Sequence, residues 1–104
     1  MNPEVIENMI AAGRDSYGAR LAAGQARLNR GELAQARAHL EQATVFKPEQ
    51  TMAWQELDRA CRESGDLEAA RLAWQRGIEF AAANGDEQAE KVMGAWRKRL
   101  DKAG

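Results

Sequence analysis

Gly31-Glu32-Leu33-Ala34-Gln35-Ala36-Arg37-Ala38-His39-Leu40 returns 34 residues later as Gly65-Asp66-Leu67-Glu68-Ala69-Ala70-Arg71-Leu72-Ala73-Trp74. The shift sets Gly31 on Gly65, Glu32 on Asp66, Ala36 on Ala70 and Leu40 on Trp74; further along it sets Ala43 on Gly77 and Phe46 on Phe80. Each position keeps its size or its chemistry. Self-similarity at a fixed period marks a chain of stacked supersecondary units, and the residues say what the unit is. A glycine between two helical segments suits a left-handed C-cap. Asp66, directly after Gly65, suits the N-cap of the next helix. Ala36 and Ala70 are small enough for two helices to cross closely, with Leu40 and Trp74 filling the space one turn on. Pro48 ends one pair and opens the next.

Outward from this stretch the chain reads as all-α. Strong helix formers fill it, β-branched residues are few, and no segment alternates with period two. The pattern predicts about six helices: a leading helix at 3–12, helix 1A at 16–29, 1B at 32–46, 2A at 50–63, 2B at 66–83 and a final helix at 86–101. One domain spans 1–104, divided as leading helix 1–15, first repeat 16–50, second repeat 51–84 and capping helix 85–104. In the final helix Ala89, Val92, Met93, Trp96 and Leu100 form one apolar stripe. Its other face is charged, as expected of a helix capping a repeat stack.

A period of 34 with helix–turn–helix content is the tetratricopeptide period, whose pattern reads W-x2-L-G-x2-Y, then A-x3-F, then P. The first copy offers Arg20-x2-Ala23-Gly24-x2-Arg27, Ala36-x3-Leu40 and Pro48. The second offers Trp54-x2-Leu57-Asp58-x2-Cys61, then Ala70-x3-Trp74, with Ala82 in place of proline. The chain therefore resembles a two-repeat tetratricopeptide protein. Arginine stands in both aromatic positions of the first copy. The resemblance implies antiparallel helix pairs in a superhelix, with a concave groove lined by the first helix of each pair, where partner peptides or helices bind. On helix 1A that side carries Gly18, Leu21, Gln25, Leu28 and Asn29; on helix 2A it carries Met52, Gln55, Arg59, Arg62 and Glu63. Arg59 and Arg62, with Gln25 and Asn29, suit a partner's carboxylate; the plainer reading is a solvated charged face. Some family members clamp a C-terminal carboxylate with a lysine and an asparagine on the first helix, but Leu21 and Gln25 hold those places here.

Other residues carry smaller expectations. Tyr17, Leu21 and Leu28 form an apolar stripe, and Val5, Ile6, Met9 and Ile10 offer the leading helix's face to cover it; the alternative leaves that stripe open to a partner helix. Arg20 and Arg27 share a face, with Glu4 and Glu7 as expected ion-pair partners or, alternatively, as an anion-recognition patch. Trp54, Trp74 and Trp96 read as core anchors, Cys61 as a small core residue, and His39 as solvent-facing. A lone histidine builds no metal centre. No phosphate loop, nucleophile elbow or cysteine pair occurs. No catalysis, cofactor or metal is expected.

Fifteen Lys and Arg against sixteen Asp and Glu give a net charge of −1, without the basic field that nucleic acids or membrane surfaces require. No apolar run is long enough to span a bilayer. The opening residues lack a signal-peptide pattern, and a single cysteine points to the cytoplasm. The expected role is an adaptor or co-chaperone-like protein-interaction module. The alternative is a self-associating scaffold, because two repeats fall short of the usual minimum of about three, with the leading helix as the contact.

Overall fold

The computed structural model describes residues 2–85 together with 91, 94 and 95. These form five helices in order: α1 (Pro3–Ala11), α2 (Tyr17–Asn29), α3 (Leu33–Phe46), α4 (Thr51–Glu63) and α5 (Leu67–Asn84), with no strand among the described residues. The final helix expected at 86–101 and its apolar stripe lie outside the described residues. Helices α2 to α5 each start one residue later than expected, because Ser16, Glu32, Gln50 and Asp66 stand at N-cap positions. The Ser16 hydroxyl accepts the Ala19 N–H at 3.1 Å and the Asp66 carboxylate accepts that of Ala69 at 3.1 Å, each satisfying a donor that the helix leaves open. Glu32 makes no such cap; its carboxylate goes to Arg27 instead.

The two copies close their first helix in the same way. Gly31 has φ +75° and Gly65 φ +82°. Around them the Glu32 N–H reaches the Arg27 carbonyl at 3.0 Å, and the Asp66 N–H reaches that of Cys61 at 2.9 Å. These are Schellman closures, in which glycine adopts the left-handed conformation without steric cost. The chain then reverses, so α2 packs on α3 and α4 on α5; α3 stacks on α4, and α1 lies on α2.

Leu28, Ala36, Leu40, Leu57, Ala60, Cys61, Ala70 and Ala73 make one buried cluster running through both pairs. Its tightest point is α2 against α3. A Cβ on Gly24 would come within 2.6 Å of Leu40 Cγ. Trp54 stacks on Phe80 with ring centroids 6.1 Å apart and planes 11° from parallel. Its indole N–H donates to the Pro48 carbonyl at 2.8 Å, tying the second pair to the link before it. Gly24→Ala drives a methyl group into Leu40 and should lower stability by about 1–3 kcal/mol, read as a lower urea midpoint at unchanged slope.

Candidate partner-binding groove

The first helices of the two pairs, α2 and α4, touch each other, and the groove-side residues fall into three groups. Leu21, Gln25, Gln55, Arg59 and Arg62 are half-buried; Gly18, Asn29, Met52 and Glu63 are exposed. Leu28 departs from the expectation: at 4% exposure it belongs to the core with Leu57 and Cys61, because the second pair closes over it. Leu21 packs on the rim of the same cluster. Arg59 pairs with Glu63 at 3.4 Å, an i,i+4 contact between two side chains that remain nearly half open to solvent and one that contributes little. Arg62 is held from below. Its Nε donates to Asp58 Oδ2 at 3.3 Å.

Asp58 is the one functional-looking residue of this face that the sequence reading passed over. It sits where the first copy has Gly24, it is 0% exposed, and its Oδ1 has no hydrogen-bond partner. Burial pushes its carboxyl above the ordinary range, against the pull of Arg62. The signal was present as an acid in the glycine position of the repeat.

The other charged constellation joins α1 to the first pair. Glu7 accepts from Arg27 Nε on α2 at 3.0 Å and meets His39 Nε2 on α3 at 2.6 Å. Arg27 also donates to Glu32 at 3.0 Å, and Arg30 to Glu4 at 2.9 Å. His39 is thus not solvent-facing; α1 folds over it. Its Nδ1 lies 3.2 Å from Arg20 Nη1. A guanidinium only donates, so Nδ1 accepts and Nε2 carries the proton given to Glu7. Arg20 is clamped by Asp15, to which its Nε and Nη2 each donate at 2.8 Å, and not by an acid of α1. Both arginines are therefore occupied by the chain's own carboxylates, which disfavours an anion-recognition patch. The expected mutual cover of apolar stripes does not form either. Tyr17 reaches the backbone of Ala53 in α4, Leu28 is in the core, and α1 lies along the other flank of α2, beside Ala19 and Ala22.

Arg27 and His39 hold the Glu7 carboxyl near a pKa of about 2, against an ordinary value of 4.5. A depressed acid stabilises the fold fully above its unfolded value, and that contribution disappears as pH falls through the folded value. Glu7→Gln should cost on the order of 1–3 kcal/mol at neutral pH, and the gap between wild type and variant should close between pH 4.5 and about 2; a gap constant with pH refutes this. Asp58 carries the opposite sign. Asp58→Asn should raise stability at neutral pH by about 1 kcal/mol, a gain that fades as pH falls through the raised folded value and is gone below the ordinary 3.8, checked by denaturation at both ends.

Cys61 is buried and its thiol is pushed up by burial, the reverse of what a nucleophile needs. Among the described residues no three His, Cys, Asp or Glu side chains gather as a metal site, and no helix is long and apolar enough to cross a membrane.

Helix pairs repeated at a constant period, each closed by the same glycine turn and stacked on the next, define a helical-repeat protein. The relatives narrow this further. A TPR repeat-containing protein of Pseudomonas aeruginosa is 37% identical over 100 residues, covering 96% of this chain and 95% of that one. The solution structure of a Bordetella parapertussis protein superposes with a TM-score of 0.84 at 30% identity, covering 99% of this chain and 90% of its own. No family model matches the sequence. The chain belongs to the tetratricopeptide repeat family.

Proposed function

We propose that this protein is a cytoplasmic adaptor or co-chaperone-like module that holds a peptide or helix of a partner protein along the α2–α4 face. Repeat stacks of this kind leave extended concave surfaces, which serve as binding surfaces for other proteins. The observation that carries the reading is the make-up of the face. Met52 on α4 is 46% exposed and Leu21 on α2 is half-buried, apolar groups that suit a partner side chain. Gln25 and Asn29 on α2 and Gln55 on α4 are open at least in part and offer both donors and acceptors to a partner's backbone. Arg59 adds a cation whose present partner is a weakly held surface glutamate and exchanges readily for a partner's carboxylate.

The test starts with affinity purification of the tagged full chain from its own cells, followed by titration of the identified partner. Arg59→Glu combined with Met52→Asp should weaken binding at least about tenfold, or about 1.4 kcal/mol, with the helical circular dichroism unchanged. Arg62 is avoided because its removal strands the buried Asp58. A partner bound equally well by the double variant removes this face from the reading.

A further inference from the structure

Helix α1 carries only two charged side chains, Glu4 and Glu7, and both turn inward to Arg27, Arg30 and His39. The outer side, away from the buried Pro3 and Ile6, is uncharged: Val5 is 56% exposed, Met9 42%, and Asn8 and Ala12 are also on the surface. An end element of a repeat stack ordinarily presents a polar outer face; here Pro3 and Ile6 face inward, Glu4 and Glu7 are engaged in pairs along one flank, and the outer strip is left uncharged. The uncharged side forms a shallow depression of about 450 Å³ lined by Val5, Asn8, Met9, Ala12 and Arg14. Arg14 makes no ion pair with any described residue, alone among the four arginines from α1 to the cap of α2, the others being Arg20, Arg27 and Arg30.

We infer that this face of α1 is a two-fold interface with a second copy of the chain, the two α1 helices lying antiparallel and crossing between Asn8 and Met9. Positions 5, 8, 9 and 12 recur with the three-and-four spacing of a helix–helix seam. An isologous contact requires a patch complementary to itself, and antiparallel pairing about this crossing point supplies it. Val5 meets the partner's Ala12, and Asn8 meets the partner's Met9. Arg14 falls beside the partner's Glu4, whose carboxylate is half-exposed. The same two contacts form on the other side of the axis. The strip carries apolar side chains with Arg14 at one end and the half-exposed Glu4 at the other, so its charges complement those of an antiparallel second copy. A second copy satisfies both the apolar strip and the lone cation. A net charge of −1 adds little repulsion between copies. The pairing also sets two stacks end to end, supplying neighbours that a two-repeat stack lacks.

A seam of one short helix per copy buries less than the roughly 1,200 Å² of a stable interface, so the dissociation constant should be on the order of 10–100 µM. Sedimentation velocity over a concentration series up to about 500 µM should show a monomer–dimer equilibrium in that range. Met9→Lys, at an exposed position, should raise the dissociation constant at least tenfold, and Arg14→Glu at least threefold. Mixed Val5→Cys and Ala12→Cys chains should cross-link to each other several times faster than either does to itself, since the antiparallel register brings these positions together; Cys61 is buried and does not compete. Arg59→Glu in the α2–α4 face should dimerise like the wild type, so this inference stands or falls apart from the proposed function. A monomer throughout, a dimer untouched by both Met9→Lys and Arg14→Glu, or equal cross-linking of all pairs overturns it. Should Met9→Lys disturb the helical spectrum, Arg14→Glu and the cross-linking decide.

Discussion

The close crossing of the two helices within each pair is the constraint on which the rest of the structure depends. At Gly24 the backbone of α2 leaves no room for even a Cβ, because the Leu40 side chain occupies that space. The second pair meets the same requirement with different chemistry. Trp74 stands for Leu40, and Asp58 for Gly24, fully buried and with one oxygen unpaired. The first crossing is apolar and tight. The second stores an ionisable group that Arg62, on the α2–α4 face, supports with a hydrogen bond at 3.3 Å. A groove arginine is thereby oriented by a carboxylate beneath it, at a cost in stability that an apolar crossing would not carry.

The other departure from the family pattern explains α1. In the second copy the aromatic position holds Trp54, which stacks on Phe80 and donates to Pro48. Its counterpart in the first copy is Arg20, and the next such position is Arg27, matching Cys61. Half-buried arginines need carboxylates. Asp15, Glu7 and Glu32 provide them, and Glu7 brings α1 with it. Only Pro3 and Ile6 of α1 are buried, so this helix is attached chiefly by charge. Its attachment responds to acid and salt in a way that the alanine- and leucine-lined contact between the pairs does not.

Much of this was legible from the residues. The period located all five described helices within one residue at their starts, because glycine turns and capping side chains are local chemistry. The errors share a different origin. Periodicity reveals that Tyr17, Leu21 and Leu28 form a stripe, but not which neighbour covers it; α4 does, which moves Leu28 from groove to core. His39 reads as solvent-facing on α3 alone, and its burial depends on where α1 comes to rest. The expected pairing of Glu4 and Glu7 with the arginines of α2 held for Arg27, though not for Arg20. The spacing of three between these acids places both on one face, matched to arginines on α2, and argues for ionic docking of α1 on the arginine flank.

That flank and the groove lie on different sides of α2. Leu28 faces α4, Gly24 faces α3, and Arg27 faces α1, while Leu21 and Gln25 remain partly open. With Leu40 filling the space beside Gly24, α2 cannot slide or roll without forcing α3 to follow, and close-packed contacts of this kind resist continuous deformation. A load on the α1 side is therefore borne by the whole first pair rather than passed along α2 as a local shift. The two pairs are joined chiefly by the stacking of α3 on α4, a contact that α1 does not enter. The fold separates its two outward faces by building them on one helix that is fixed at its centre.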